Sequence, residues 1–184
     1  MALISASTIL TSLCLFHITL AYFFYTNPHA IADQLFVWVL GEATDMPQTQ
    51  YFSTPSPTSS FLAVILLLVG FSDLITLSMP EEIWLIHYWG SQAPARFAIF
   101  GILTVFTYVT APSSLSARHP PSFLGAAKYG TESGGDGLRN RVFFAFAFLE
   151  FLSWFWAWVT LREEAAVFTA RKRRRSSTSG RERS

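Results

Sequence analysis

Four side chains in this 184-residue sequence place ionisable chemistry inside apolar segments: His17, Asp73, Arg96 and Glu150. A histidine set against a glutamate is an acid–base pair. An aspartate beside an arginine is a charge pair. A charged group at the centre of a membrane helix costs about 2.5–3.5 kcal/mol on the gentler insertion scale, so each such residue is a functional candidate by default. Catalysis by His17, Glu150 and Asp73 would need nucleophile, base and stabiliser to converge on one cavity. The plainer alternative is favoured: each polar residue ties one helix to another. No metalloprotease His-Glu-x-x-His, phosphate loop or dinucleotide fingerprint accompanies them. Cys14 is the single cysteine, which rules out an internal disulfide and any site built from several cysteines. No metal and no cofactor is expected.

The elements that must carry these residues are membrane helices. Apolar residues make up 51% of the chain and charged residues only 14%, half the usual share of a soluble domain. A hydrocarbon core about 30 Å thick takes about 20 apolar residues of helix. Four stretches qualify, at about 5–25, 61–79, 94–111 and 142–161, and in lipid each must be helical. The first lacks the leading Lys or Arg of a cleaved signal, so it is expected to be retained. The expected fold is all-α, a polytopic bundle of four transmembrane helices.

Helical spacing puts Asp73 on a stripe with Ala63, Leu66, Gly70 and Thr76, and Glu150 on one with Ala147, Ser153, Ala157 and Thr160. His17 shares a face with Leu10, Cys14 and Ala21. Small residues let helices approach closely, so these faces should point inward. Depth then selects partners. His17 lies roughly 18 Å from the start of the first span, and Glu150 roughly 12 Å from the opposite surface, at 1.5 Å per residue. The two depths meet in a 30 Å core, which predicts a His17–Glu150 hydrogen bond if the first and fourth helices touch. Asp73 and Arg96 differ in depth by only about 6 Å, within reach of an arginine side chain. They form the second predicted pair.

Two short apolar pieces are expected to lie at the interface as helices. "NPHAIADQLFVWVLG" has Asn27 as N-cap, Pro28 in the first turn and Gly41 as its stop. "SMPEEIWLIHYWG" has capping-box spacing between Ser78 and Glu81, ends at Gly90, and offers Trp84, Tyr88 and Trp89 as interfacial anchors. The segment 112–140, rich in Pro, Ser and Gly, is expected to be mobile. Charge is split along the chain: residues 1–170 hold 6 Lys/Arg against 11 Asp/Glu, and residues 171–184 hold 7 against 1. The tail from Arg171, Lys172, Arg173, Arg174 and Arg175 onward is expected to be disordered, to fix topology and to attract anionic lipid. Four spans and a basic tail put both termini in the cytosol by the positive-inside rule.

The blocks "LCLFHITLAYFF", "IADQ", "FLAVILLLVGFSDLITLSMPEEI" and "YWGSQAPARF" carry a further signal. Together they resemble the fungal family called increased loss of mitochondrial DNA protein 1. The resemblance covers roughly residues 1–110 and implies an integral membrane protein of the endoplasmic reticulum without an established catalytic activity. It also implies an indirect link to mitochondrial DNA maintenance, with lipid metabolism as the suggested route. It supplies no catalytic residues. The expected role is therefore an accessory or scaffold protein, more a non-enzyme than an enzyme. Its partners would be the bilayer, anionic lipid and other membrane proteins, with no specific nucleic acid binding. The alternative is a small membrane enzyme or carrier acting on a lipid through Glu150, His17 and Asp73.

Overall fold

The computed structural model describes residues 4–48, 52, 54–110 and 136–181, with backbone alone at 136 and 175–181. All regular structure among them is helical: α1 Ala6–Thr26, α2 His29–Ala32, α3 Leu35–Ala43, α4 Pro57–Thr76, a π-helical stretch Ile83–Tyr88 that runs into α5 Trp89–Thr110, a 3-10 turn Asp136–Leu138, and α6 Arg141–Arg181. Four helical segments are long and apolar enough to cross a membrane: Ala6–Thr26, Pro57–Thr76, Ile83–Thr110 and Arg141–Arg174.

The ends of these helices follow local chemistry. Ser5 caps α1 by accepting from the amide of Thr8. Ser56 and Ser59 form a reciprocal capping box on α4, with Pro57 in the first turn, where its missing N–H costs nothing. Asn140 starts α6, its Oδ1 accepting from the amide of Phe143 at 2.9 Å.

The spans alternate up and down. α1 packs along α4, and α5 packs along α6. Gly70 allows the first contact: a Cβ there would lie 2.9 Å from the Cys14 carbonyl oxygen and 3.0 Å from His17 Cβ. Phe97 stacks on Phe151 in the second, with centroids 4.9 Å apart. α1 touches α6 over a smaller area, and α4 meets α5 mainly where Asp73 reaches Arg96 rather than along its length. One apolar core, with Leu10, Trp89, Trp154 and Leu161, fills the end of the bundle where α1 begins. Another, with Phe24, Ile31, Val37 and Val142, fills the end where α2 and α3 lie. The outer faces carry Leu67, Leu68 and Phe71 on α4 and Ile102, Val105 and Val109 on α5, all exposed. Apolar exposure on this scale is unfavourable in water and matches a hydrocarbon surround.

Several sequence expectations need correction. The first interfacial helix is two helices, α2 and α3, broken where Gln34 turns extended at ψ 132°. Asn27 closes α1 instead of opening α2, its amide donating to the carbonyl of Phe23. Gly41 lies inside α3 because the Arg141 side chain packs where a Cβ would stand. The second interfacial helix is the beginning of the third span. Ser78 Oγ donates to the carbonyl of Ile75 at 2.6 Å rather than capping a new helix. Gly90 does not stop the helix, since its φ is not positive and burial of Trp84, Leu85 and Trp89 outweighs the roughly 1 kcal/mol cost of an interior glycine. The π-helical stretch lies just ahead of Pro94, which removes one i→i−4 bond inside α5. Trp84 and Trp89 are buried packing residues, not interfacial anchors.

The fourth helix does not end near residue 161, and the tail is not disordered from Arg171. α6 continues to Arg181 through a run of strong helix formers, 161–175, "LREEAAVFTARKRRR". Most of the loop expected to be mobile lies outside the described residues.

The Gly70 contact gives a direct test. Gly70→Ala pushes a Cβ against backbone and should destabilise the protein by about 1–3 kcal/mol. Gly137→Ala meets nothing within 4 Å and should stay within about 0.5 kcal/mol of the parent. Thermal unfolding of both variants in one detergent checks the difference.

Candidate functional site

Asp73 sits one turn from the end of α4, on the face that buries Ala63, Leu66, Gly70 and Thr76. Arg96 on α5 grips it with both arms of the guanidinium. Nη1 donates to Oδ2 at 2.5 Å and Nη2 to Oδ1 at 2.9 Å. The planar fork matches the carboxylate geometry and satisfies both oxygens. The guanidinium carbon lies 5.3 Å from the Trp89 ring centroid and 4.8 Å from that of Trp154, a double cation–π contact. The two indoles stack with centroids 5.5 Å apart.

Trp154 carries the network onward. Its indole N–H donates to Glu150 Oε2 at 2.8 Å, one turn back along α6. Glu150 is 0% exposed, and its Oε1 lies 3.1 Å from Nε2 of His17 on α1. That contact has ion-pair distance but bent geometry: Oε1 accepts no well-directed hydrogen bond, and His17 Nδ1 has no partner among the described residues. A lone ionised carboxylate at this depth would be costly, and a histidine beside it can keep the pair neutral overall.

The result is a continuous polar and aromatic chain, Asp73–Arg96–Trp89/Trp154–Glu150–His17, with one ionisable residue from each of the four spans. The four sequence candidates thus come together as two pairs. Trp154 and Trp89, which join those pairs, were missed by sequence reasoning. The i,i+4 spacing of Glu150 and Trp154 was the available signal, because an indole N–H on the same face is a ready donor to a buried carboxylate.

The remaining candidates lie apart. Arg171, Lys172, Arg173 and Arg174 occupy the exposed extension of α6, and the side chain of Arg175 lies outside the described residues. Lys172 pairs with Glu82, ahead of the π-helical stretch. Glu164, on the same extension, accepts from the amide of Ala6 at 2.8 Å and completes the first turn of α1. Across the bundle, Arg141 donates through Nε to the Met46 carbonyl at 2.7 Å and reaches Glu42 at 3.1 Å, tying α3 to α6.

Chemically, the His17–Glu150 pair could exchange a proton, yet it lies within packed interior. A cavity of about 340 Å³ between α1, α2–α3 and α6 is lined by residues such as Phe16, Phe24, Val37 and Phe146, and by none of His17, Asp73, Arg96 and Glu150. Among the described residues no three His, Cys, Asp or Glu side chains converge as a metal site would require.

Two expectations follow. Asp73→Ala strands the Arg96 charge and should cost about 3 kcal/mol, the low end for a broken buried pair because the Arg96 side chain is 22% exposed. The exchange Asp73→Arg with Arg96→Asp should recover part of that loss in a thermal melt. The Lys172 ammonium holds the Glu82 carboxyl below its usual range, through its hydrogen bond and its charge. A lowered folded value means the tie stabilises above the ordinary glutamate range and is lost as pH falls through the depressed value. Spin labels at Glu81 and Thr169 should therefore report one narrow distance at pH 7 and a broadened one only on acidification below the ordinary glutamate range.

No curated protein and no solved structure matches this chain. A protein-family model does, across residues 4–171, well beyond the 110 residues of the sequence resemblance. The match covers most of a chain with four potential membrane spans, and the chain belongs to that family, increased loss of mitochondrial DNA protein 1.

Proposed function

We propose that the chain is an integral membrane accessory protein of the endoplasmic reticulum. In this reading it supports mitochondrial DNA maintenance indirectly, through lipid supply. The observation that carries the reading is how the interior polar groups are used. Each span contributes one ionisable residue, and those residues engage one another and two tryptophans rather than a cavity. Such an arrangement fits a fixed scaffold that presents surfaces to lipid and to other membrane proteins.

The assigned orientation has both termini in the cytosol. It is supported by the Ala6–Glu164 and Glu82–Lys172 contacts, which put the start of α1, the approach to α5 and the basic extension of α6 at one end of the bundle. The positive-inside rule gives that end to the cytosol. The organelle is assigned from the family resemblance. The basic extension would add attraction to anionic lipid of the cytosolic leaflet.

One observation favours a second reading, a lipid enzyme or carrier. His17 Nδ1 and Glu150 Oε1 are buried without good hydrogen-bond partners, and such groups mark reactive sites as well as imperfect packing. Glu150→Gln separates the two readings, because the amide keeps the shape and removes the acid. The accessory reading expects protein abundance and mitochondrial DNA retention to fall together, with a lipid profile that tracks abundance. Normal abundance with an altered lipid profile would favour chemistry at Glu150. Quantitative immunoblotting, mitochondrial DNA copy number and lipidomics on the same cells decide between them.

A further inference from the structure

The 340 Å³ cavity is a half-open slot whose long walls are the second half of α1, from Phe16 to Phe24, and the first two turns of α6, from Val142 to Leu149. Both walls belong to segments able to cross a membrane. α2 and α3 border one end of it through Ala30, Ile31 and Val37. The wall is about 12 Å long at 1.5 Å per residue. Both walls face the bilayer interior when the chain spans a membrane, so the occupant is apolar and is present at this depth.

The surroundings of the slot add a polar requirement at one end. Val142 also lines a separate, smaller cavity of about 240 Å³, together with Asp33, Trp38, Gln48 and Arg141. Trp38 is 54% exposed there, on α3. Gln34 stands at the same end of the apolar slot. An apolar slot flanked at one end by Arg141, Asp33, Gln48 and an exposed Trp38 has the polarity gradient of a membrane interface.

We propose that this slot binds a single acyl chain of a bilayer glycerophospholipid, with the lipid headgroup at the Arg141 end. The chain lies against Phe16, Phe24 and Phe146, and the guanidinium of Arg141 faces the phosphate. Arg141 stays bound to the Met46 carbonyl and Glu42, and five guanidinium donors leave N–H groups for an incoming anion. The site is separate from the His17–Glu150 pair and goes beyond the accessory reading: it needs only that the chain resides in a bilayer.

The test uses the full chain in nanodiscs that contain a small fraction of phosphatidylcholine with a mid-chain diazirine. Irradiation and peptide mass spectrometry then map the adducts. The proposal expects adducts concentrated on peptides 16–24 and 142–149. It also expects at least a fivefold drop at those peptides on Ala30→Trp or Thr19→Trp, two rim substitutions that fill the slot from different helices. Adducts at exposed faces such as Ile102 and Val105 should be unchanged and serve as the internal control. Adducts spread evenly over all lipid-facing helices in the unsubstituted protein would overturn the proposal without any variant. Adducts that persist in a folded Ala30→Trp or Thr19→Trp protein would overturn it too, as would cross-links to a second copy of the chain at the slot.

Discussion

The bidentate contact between Arg96 and Asp73 is the constraint on which the rest of the bundle depends. α1 and α4 are bound by close backbone approach at Gly70, and α5 and α6 by aromatic stacking along Phe97 and Phe151. Those contacts make two helix pairs. α4 and α5 have little shared surface, so the pair of charges is what brings them together. In lipid the helices gain little from burying apolar surface against each other, because acyl chains are equally apolar. A charge pair held by two parallel hydrogen bonds therefore specifies the arrangement more strongly than leucine packing could. Trp89 and Trp154 shield it and extend it, giving the guanidinium two π-faces and giving Glu150 an N–H donor.

A second level of order lies at the two ends. Where α1 begins, Glu164 completes its first turn and Lys172 ties Glu82, so the α6 extension acts as a brace over the start of two other helices. At the opposite end Arg141 binds α3 through Glu42 and Met46 and packs over Gly41. The interior chain and these end ties together assign a partner to most of the ionisable residues that the sequence puts in or near the spans. That economy is the physical ground for reading the chain as a scaffold. Neither His17 nor Glu150 lines the largely apolar slot beside α1.

Much of this was legible in the sequence because membrane helices obey few rules. Length and hydropathy located the four spans, and helical spacing located most of the buried face of α4 and the middle of that of α1. Depth along the helices then placed His17 opposite Glu150 and Asp73 opposite Arg96, and the structure puts those atoms 3.1 Å and 2.5 Å apart. What was not legible depended on tertiary contact. Gly41 and Gly90 read as helix stops, yet side-chain packing around them holds the helix on. Trp84 and Trp89 read as interfacial anchors because tryptophan favours the interface, and burial in the core overrode that preference. The basic run after Ala170 read as a solvated tail, since charge repulsion is visible in sequence and the Glu82–Lys172 tie is not. The capping of α4 by Ser56 and Ser59 is a local signal, overshadowed by the stronger apolar one that starts at Phe61.

The central claim is that the interior polar groups form one structural network rather than separate ties or a reactive centre. A double-mutant cycle across its length tests that claim most directly. Asp73→Asn and Glu150→Gln lie on different helices and do not touch, so independent sites would give additive losses of stability. The network predicts a coupling of at least about 0.5 kcal/mol in thermal unfolding in nanodiscs, transmitted through Arg96 and Trp154. Additive losses, with the double variant equal to the sum of the single ones, would contradict the account.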